Sequence, residues 1–315
     1  MQVKNKKCLV TGGAGFIGSH LAERLVSFGN EVSVIDDFST GKHNLKLLTA
    51  TGVKIHESDI TNILQIKPFF RDTDIIFHLA AMNRAQRGIS DPLRSNEINV
   101  TGTLNCLKLA VDNSIDKFIF ASSSSVYGSV TNNKLDEEMD LKPLNPYGVG
   151  KLSAEHYCRI FYEIFGLKTT ILRYFSVYGP RQQGDIDHAG VIAKFINLSL
   201  TGRKLPIYGN GLQKRNFSYV RDVVDATILA TASDNLNGDV INIASEKEHS
   251  VLDVANRIIT ETSSESEIDF QPPLAGDPSR NPANIDKLKN VLNFSPKHPL
   301  KKGLKQTISS MLSRN

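Results

Sequence analysis

The apolar positions in the first half of the chain alternate between strand-like runs and helical periods. The apolar run 8–10 is followed by Ile17, Leu21, Leu25 and Phe28 at helical spacing. Further strand-like runs lie at 31–35, 53–56, 74–81, 117–121 and 169–174, and helical periods lie at 92–112 and 147–164. Buried strands that alternate with helices form a parallel sheet with helices on both faces. The pattern therefore predicts an α/β protein with a doubly wound parallel sheet.

The alternation weakens after residue 175, where shorter elements follow one another. Helices are predicted over 190–200, 219–232 and 251–260, and short strands over 204–208 and 240–243. We predict two domains: a nucleotide-binding domain from residues 1–174 with 213–244, and a smaller C-terminal α/β substrate domain from 175–212 with 245–315.

A glycine-rich turn joins the first predicted strand to the first helix. Residues 11–18 are Thr-Gly-Gly-Ala-Gly-Phe-Ile-Gly, which places Gly12, Gly15 and Gly18 in GxxGxxG spacing. In a dinucleotide-binding turn the first glycine permits the tight bend, the second lets the backbone approach a pyrophosphate, and the third lets the helix pack closely. In isolation, such a triplet can serve backbone geometry alone. The order of strand, turn and helix favours a Rossmann-type nucleotide site.

Acidic residues follow the second and third predicted strands. Asp36 and Asp37 end the second strand, where an acid can accept hydrogen bonds from an adenosine ribose and would repel a 2′-phosphate. We therefore predict NAD rather than NADP as the cofactor; an acid that only caps the next helix is the alternative. Asp59, past the third strand, is either the N-cap of the next helix or a ligand of the adenine edge.

Hydroxyl-bearing side chains cluster where the fifth predicted strand ends. Residues 122–125 are four serines, and Tyr147 precedes Lys151 by one helical turn, so both lie on one helix face. Ligands of parallel sheets bind beyond the carboxyl ends of the strands. A phenol has a pKa of ~10, which an adjacent ammonium and a positive nicotinamide ring would lower. The pattern predicts Tyr147 as a general acid/base; an exposed Tyr and Lys without chemistry are the alternative.

Composition narrows the class of protein and its partners. The 315 residues are 40% apolar and 22% charged, with a formal net charge of +4, which is ordinary for a soluble globular protein. No long basic run and no apolar run of ~20 residues occurs, so we expect neither nucleic acid nor a membrane as partner. The 3 cysteines lack metal-ligand spacing and the first residues are polar, so we expect no metal, no signal peptide and a cytoplasmic protein.

Taken together, the motifs resemble those of the extended short-chain dehydrogenase/reductases that act on nucleotide sugars. They are most similar to the UDP-glucose and UDP-N-acetylglucosamine 4-epimerases, over nearly the whole chain. The motifs are TGGAGFIG at 11–18, the acids at 36 and 37, SDI at 58–60, HLAA at 78–81, NVTGT at 99–103, SSSSVYG at 122–128, YGVGK at 147–151, RYFSVYGPRQ at 173–182 and YGNGLQKRNF at 208–217.

This resemblance implies a catalytic set and a cofactor set. Tyr147 would be the acid/base, Lys151 its partner, and Ser123 the hydroxyl that hydrogen-bonds the reacting oxygen. The implied NAD-binding residues are Gly12, Gly15, Phe16, Ile17, Asp36, Asp37, Asp59, Ile60, Leu79, Ala80, Ala81, Asn99, Tyr147, Lys151 and Tyr174.

The resemblance also implies a site for the nucleotide sugar. Its implied members are Ser124, Ser125, Ser176, Val191, Lys194, Tyr208, Arg215, Arg280 and Asn281. Arg215 would face the diphosphate, and Arg280 would replace a second arginine that many epimerases have where Leu274 stands. Position 176 is commonly Asn in the family. Position 281 is Tyr in enzymes restricted to glucose and galactose and small in those that admit N-acetylated sugars, so Asn281 leaves room for either. The loop 82–84 matches no particular subfamily.

The function implied is an NAD-dependent 4-epimerase that interconverts C4 epimers of a UDP-hexose through a 4-keto sugar and keeps its NAD bound. Ser124 and Ser125 replace the Asp-Glu pair of the 4,6-dehydratases, and Ser125 replaces a glutamate typical of UDP-glucuronate decarboxylases. The alternatives are a UDP-glucuronate 4-epimerase, a 4-keto-sugar reductase that consumes NAD(H), and a non-enzymatic NAD-binding regulator. A homodimer through helices near 92–112 and 147–165 is also implied.

Overall fold

A computed structural model of the chain describes residues 3–130, 134–184, 189–278 and 280–313, without the side chains of residues 280 and 281. The strands, in chain order, are β1 Lys7–Thr11, β2 Glu31–Asp36, β3 Lys54–Glu57, β4 Ile75–His78, β5 Lys117–Ser123, β6 Thr169–Tyr174, β7 Leu205–Tyr208, β8 Lys214–Arg215, β9 Asp239–Ile243, β10 His249–Ser250, β11 Ile268–Gln271 and β12 Arg280–Asn281. The α-helices are α1 Phe16–Ser27, α2 Leu45–Ala50, α3 Ile63–Ile66, α4 Ala85–Ser90, α5 Pro92–Asn96, α6 Thr103–Asp112, α7 Pro146–Phe165, α8 Val191–Leu200, α9 Val220–Thr231, α10 Val251–Glu261, α11 Asp286–Leu292 and α12 Leu300–Leu312.

Seven of the described strands form one parallel sheet in the order β3-β2-β1-β4-β5-β6-β9. The chain builds outward from β1 through β2 to β3 and then returns to place β4 on the other side of β1. The carboxyl ends of β1 and β4 therefore flank the point where the strand order reverses, and doubly wound sheets bind ligands there. The predicted doubly wound α/β fold is confirmed.

Apolar side chains cover both faces of this sheet because successive residues of a strand point to opposite sides. On one face Val10 packs in the cluster that contains Leu21 of α1. On the other face Leu9 packs in the cluster that contains Leu107 of α6 and Cys158 of α7. The near-continuous apolar strands seen in the sequence follow from this double coverage.

A separate core holds the smaller unit together. Phe195 of α8, Ile207 of β7 and Ile258 of α10 are buried in it. Strands β7 and β11 pair in parallel, while β8 pairs antiparallel with β10 and parallel with β12. The chain rejoins the large sheet through β9. The domain boundaries stay a prediction.

The largest difference from the sequence prediction is in the helix expected over 92–112. The chain instead forms α5, a π-helical turn at Glu97–Gly102, and α6. Gly102 packs so closely on Ile60 that an added Cβ would lie 2.6 Å from the Ile60 side chain. The hydroxyl of Thr103 donates to the carbonyl of Asn99 at 2.8 Å. The tertiary contact with Ile60 and this local hydrogen bond coincide with the π-helical turn, and the chain stays helical from Pro92 to Asp112. Strand β11 was also not predicted.

Cys8, Cys106 and Cys158 are buried free thiols, as expected for core positions. Among the described residues, no helix combines the length and the apolar character needed to cross a membrane.

Candidate active site

The glycine turn between β1 and α1 lies at the carboxyl edge of the sheet. Gly12 has a positive φ of 67°, and a Cβ there would lie 2.7 Å from the backbone nitrogen of Ala80. A Cβ on Gly18 would collide with the carbonyl of Gly12. Around Gly15, by contrast, an added Cβ would meet only that same carbonyl among the described residues, at 3.2 Å. The turn is therefore open at Gly15, the glycine predicted to face a pyrophosphate.

The first turn of α1 leaves its backbone donors without a cap. The hydrogen bond from Ser19 N to Gly15 O, at 3.0 Å, opens the helical series, so the N–H groups of Phe16 and Ile17 have no acceptor within the helix. Neither a capping side chain nor an acidic side chain occupies this turn. Free N–H groups and the positive end of the helix dipole suit a bound anion. The open turn and the uncapped helix fit the pyrophosphate of NAD.

Asp36 and Asp37, at the end of β2, differ in what they contact. Asp36 is buried and accepts hydrogen bonds from Ala14 N and Phe38 N, each at 2.9 Å. Burial raises the pKa of Asp36, and these bonds oppose the shift. Asp37 is exposed. The next helix, α2, has Asn44 as its N-cap, so the alternative that one of the acids caps it is wrong. Asp36 ties the glycine turn to β2, and its ribose contact stays a prediction.

Asp59, just past β3, forms an ion pair. Its Oδ2 lies 2.7 Å from Nη2 of Arg94. The next helix, α3, is capped by Asn62, whose side chain accepts a backbone N–H. The N-cap prediction for Asp59 is therefore wrong, and its contact with the adenine edge stays a prediction. Ile60 is buried beneath the π-helical turn.

The end of β4 lines the other side of the reversal point. Leu79, Ala80 and Ala81 are partly exposed there. Asn99 approaches this edge, and its Nδ2 donates to Met82 O at 3.1 Å. The Oδ1 of Asn99 is buried without a hydrogen-bond partner among the described residues. A buried acceptor without a donor costs about 1–3 kcal/mol, so a donor from a bound group fits this position. The arrangement agrees with the cofactor-binding role predicted for Asn99.

Tyr174, at the end of β6, is turned away from the cleft. Its hydroxyl lies 2.8 Å from Oγ1 of Thr227 on α9, and its side chain belongs to the core between the sheet and the helices. Burial raises the pKa of Tyr174, and the Thr227 hydrogen bond opposes the shift. Any cofactor contact by Tyr174 is therefore restricted to its backbone.

The serines at the end of β5 point in different directions. Ser122 is buried, and its hydroxyl donates to Oε1 of Glu155 at 2.5 Å. Ser123 accepts a hydrogen bond from Ser125 N at 3.1 Å, and its hydroxyl is close enough to the Tyr147 phenol to lower the pKa of that group. Ser122 therefore has a structural role, and Ser123 is the serine in contact with Tyr147.

Tyr147 is fixed in the first turn of α7. Asn145 caps this helix by accepting a backbone N–H, and Gly88 of α4 packs so closely that an added Cβ would lie 3.0 Å from Tyr147 N. Burial raises the pKa of Tyr147, while the hydrogen bond from Ser123 and the positive charge of Arg84 lower it. A phenol with a nearby hydroxyl and a nearby cation is equipped to exchange a proton with a bound alcohol.

Lys151, one turn further along α7, is buried. Its Nζ donates to Ala121 O at 2.8 Å and lies 4.7 Å from the ring centre of Phe120. Burial lowers the pKa of Lys151 to about 8. The ammonium group is thus held against the end of β5. Among the described residues, the cation whose charge acts on the Tyr147 phenol is Arg84, whereas the sequence indicated Lys151.

Arg84 is the site residue that received no role from the sequence. It lies in the loop between β4 and α4, at the N-cap position of α4, with a positive φ of 81°. An added Cβ on Gly190 would lie 3.0 Å from Nη2 of Arg84. The guanidinium therefore reaches from the β4 loop to the start of α8. The sequence signal was one charged residue in a loop at the carboxyl edge, and nothing local shows where that side chain points.

One group of predicted substrate residues lies near α8 and the serine run. Val191 begins α8, directly after an N-cap glycine without a side-chain cap, and Lys194 follows one turn later. Ser176 has a positive φ of 36°, and its carbonyl accepts from a backbone N–H of the segment before α9. Ser124 is buried, and Ser125 is partly exposed beside the catalytic candidate.

The other group lies on the small three-stranded sheet and the end of β7. Nη2 of Arg215 donates to Oδ1 of Asp277 at 2.9 Å. Strand β12 places the backbone of Asn281 opposite Arg215, with Arg280 beside it. The side chains of Arg280 and Asn281 lie outside the described residues. Tyr208 ends β7 and is partly exposed. The diphosphate role of Arg215 stays a prediction, and a bound phosphate would compete there with Asp277.

The fold and the site together define an enzyme that binds a nucleotide at the edge of a doubly wound sheet. Comparison with known proteins leads to the same class. Residues 8–244 match the model of the NAD dependent epimerase/dehydratase family. The chain belongs to this family, which confirms the resemblance found in its motifs and confirms NAD as the cofactor.

Similar proteins act on several UDP-sugars. The chain is 39% identical to the UDP-N-acetyl-alpha-D-glucosaminuronate decarboxylase of Bacillus cytotoxicus, over 96% of this chain and 97% of that protein. A solved UDP-N-acetylglucosamine 4-epimerase from Methanobrevibacter ruminantium, in complex with UDP-N-acetylmuramic acid, is 35% identical with a TM-score of 0.93, over 99% of this chain and 100% of that chain. A UDP-glucuronic acid 4-epimerase from Bacillus cereus, solved with UDP-glucuronic acid and NAD, is 32% identical with a TM-score of 0.91, over 98% of this chain and 100% of that chain.

Proposed function

We propose that this protein is an NAD-dependent 4-epimerase of a UDP-hexose. The observation that carries the proposal is the placement of the Tyr147 phenol beside the Ser123 hydroxyl, which lowers the pKa of that phenol. The pair lies at the carboxyl edge of the sheet, where the open glycine turn and the uncapped start of α1 also lie. A proton-transfer pair and a dinucleotide site at one edge are the requirements for oxidising an alcohol.

Each side chain has a defined part in the proposed reaction. The Tyr147 phenolate removes the proton of the C4 hydroxyl, while the Ser123 hydroxyl holds the same oxygen in place. Bound NAD supplies the hydride acceptor for C4. After the 4-keto sugar turns in its pocket, the opposite face of C4 receives the hydride back while Tyr147 returns the proton to the C4 oxygen. Arg84 assists because its positive charge favours the phenolate form.

The residues after β5 support epimerisation over elimination of water. A dehydration needs an acid and a base beside the sugar, and the positions following Ser123 carry hydroxyls instead. Ser124 is buried and Ser125 hydrogen-bonds Ser123. Neither side chain can remove the C5 proton as a carboxylate would.

A second candidate is decarboxylation of a UDP-uronate. It is favoured by the relative in Bacillus cytotoxicus, whose name describes that reaction. Oxidation at C4 of a uronate gives a β-keto acid, so the two reactions share their first step. They differ in the product: a C4 epimer in one case, and a UDP-pentose with carbon dioxide in the other.

The test is a product assay of the purified protein without added cofactor. UDP-glucose, UDP-N-acetylglucosamine and UDP-glucuronate are supplied separately, and products are separated by chromatography and identified by NMR. The proposal expects a C4 epimer from at least one substrate. A pentose product would establish the second candidate instead. Turnover only after addition of NADH and a 4-keto sugar would indicate a reductase, and bound NAD without any turnover would favour a regulator.

A further inference from the structure

We propose that Arg84 binds a carboxylate of the sugar substrate, carried on one of the two ring positions that flank C4. The carboxylate is either C6 of a uronate or an acid ether at O3. The inference rests on the proposed function, because it places the reacting carbon at Tyr147. It adds the chemical class of the hexose, for which the motifs left several possibilities open.

The position of the guanidinium supports this assignment. Arg84 acts electrostatically on the Tyr147 phenol, and its Nη2 lies against Gly190 at the start of α8. Tyr147 marks the oxygen on C4, so a group beside it meets substituents on C3 or C5. C1, which carries the diphosphate, lies across the pyranose ring from C4. A diphosphate contact would therefore require Arg84 at the other end of the hexose.

The Arg84 guanidinium has no carboxylate or hydrogen-bond partner among the described residues. Several other arginines are paired: Arg94 with Asp59, Arg173 with Glu155, Arg181 with Glu23, and Arg215 with Asp277. A partly buried cation is costly unless an anion compensates it. A guanidinium engages a carboxylate through two parallel hydrogen bonds. A substrate carboxylate provides that compensation.

Two neighbouring features favour an anion at the same place. Helix α8 begins beside Arg84 without a side-chain cap, so the positive end of its dipole lies next to the guanidinium. Gln182 is 5% exposed, its Oε1 has no partner among the described residues, and its Nε2 would lie 2.7 Å from an added Cβ on Gly190. The amide therefore offers a free hydrogen-bonding atom to a sugar hydroxyl next to the carboxylate.

The backbone at Arg84 supports a functional rather than a packing role. Its φ of 81° and ψ of 132° form a combination that L residues rarely adopt. Strained backbone conformations of this kind cluster at ligand-binding positions. A glycine would relieve the strain and lose the side chain.

The test compares selectivity in four proteins: wild type, Arg84→Met, Arg84→Lys and Arg87→Met. Arg87 lies on α4, three residues after Arg84, and its change removes the same charge. For each protein, kcat/KM is measured with UDP-glucuronate, UDP-N-acetylmuramate, UDP-glucose and UDP-N-acetylglucosamine. The ratio of acidic to neutral substrate isolates the carboxylate contact, because the effect of Arg84 on Tyr147 acts on every substrate and cancels.

The inference expects wild type to prefer one acidic substrate. In Arg84→Met the acidic-to-neutral ratio falls about 10–100-fold, as for loss of a charged hydrogen-bonded pair. Arg84→Lys keeps the positive charge but lacks the planar guanidinium that forms two parallel hydrogen bonds, so it retains part of the acidic-to-neutral ratio. Arg87→Met leaves this ratio unchanged. Preference for UDP-glucuronate places the carboxylate at C6, and preference for UDP-N-acetylmuramate places it at O3. An unchanged ratio in Arg84→Met, or an equal loss for all four substrates, overturns the inference.

Binding separates this inference from the proposed function. Calorimetry on the Tyr147→Phe background, with and without Arg84→Met, measures affinity for UDP-glucuronate, UDP-N-acetylmuramate and UDP-glucose without turnover. Arg84-dependent preference for an acidic sugar supports the inference even when no epimer forms. Epimerisation of neutral sugars with no such preference supports the function and refutes the inference.

Discussion

The Tyr147 phenol in the first turn of α7 lies beside the Ser123 hydroxyl at the carboxyl end of β5 and has its pKa lowered by it. The fold fixes the backbone of both residues. Ser123 is the last residue of a central strand, and Tyr147 is positioned by the Asn145 cap and by close packing of Gly88. The relationship between the two side chains is therefore set by how α7 packs on β5.

Replacement of Tyr147 by phenylalanine tests the proton transfer. Only the hydroxyl is lost, so we expect kcat to fall by about 10²–10⁴, while the midpoint of thermal unfolding and the NAD content of the purified protein stay unchanged. Tyr162→Phe is the matched control, because Tyr162 lies on the same helix and is 38% exposed. Unfolding of Tyr147→Phe, or equal activity of both variants, would return Tyr147 to a structural role.

Two neighbouring serines should respond in opposite ways. Ser123→Ala removes the hydroxyl that holds the reacting oxygen, so we expect kcat to fall by about 10² with little change in stability. Ser122→Ala removes a buried hydrogen bond to Glu155, which keeps its ion pair with Arg173. We expect it to lower the free energy of unfolding by about 1–3 kcal/mol and to leave kcat nearly unchanged. Steady-state kinetics measure kcat, and urea unfolding measures the stability of each variant. A large loss of kcat in Ser122→Ala, with normal kcat in Ser123→Ala, would assign the catalytic hydroxyl to Ser122.

The glycine turn offers a test of cofactor binding without activity. Gly15 has an ordinary φ of −69°, and an added Cβ would meet only the Gly12 carbonyl, at 3.2 Å, so we expect Gly15→Ala to fold with a small loss of stability and to lose most of its bound NAD. Gly18→Ala would collide with the carbonyl of Gly12, and we expect it to destabilise the protein by about 1–3 kcal/mol. NAD released on denaturation and urea unfolding measure the two effects. Full NAD content in Gly15→Ala would place the pyrophosphate elsewhere.

The pH dependence reports the charge near Tyr147. The base is the phenolate, so kcat/KM rises with pH until Tyr147 is deprotonated. Burial raises the pKa of Tyr147, and Arg84 lowers it. Removing the positive charge raises this pKa, so Arg84→Met should move the rising limb to higher pH and lose most activity on the acid side. Profiles with UDP-glucose, compared with Arg87→Met, measure the shift. If the rising limbs of the kcat/KM profiles of wild type, Arg84→Met and Arg87→Met coincide, Arg84 does not act on the phenol.

The features that could be predicted from the sequence depend on local patterns. The glycine turn, the apolar strands and the relation of Tyr147 to Lys151 each occupy a short stretch with one favoured backbone geometry. The helical run over 92–112 is confirmed, but its π-helical turn was not predicted; that turn contains Gly102, which packs on Ile60, far away in sequence. Asp59 follows a strand as many N-caps do, but Arg94 binds it and Asn62 takes the cap.

The orientation of long side chains was the least predictable part of the site. Helical spacing placed Lys151 on the same face as Tyr147, but it could not show that the Lys151 Nζ donates to Ala121 O; the partnership of Lys151 with Tyr147 stays a prediction. Arg84 was known only as part of a loop, and its contact with the start of α8 joins residues that are distant in the chain. Such contacts depend on how separate elements pack. The roles of Arg280 and Asn281 stay predictions, as does the homodimer.

In the proposed reaction, C4 loses its hydride and receives the same hydride back. This transfer can be followed with a UDP-hexose that carries deuterium at C4, converted by the purified protein in ordinary water without added NAD. We expect a C4 epimer that keeps its deuterium at C4, with none released to the solvent. Loss of the label to water would contradict it, because that result requires removal of the C4 hydrogen as a proton.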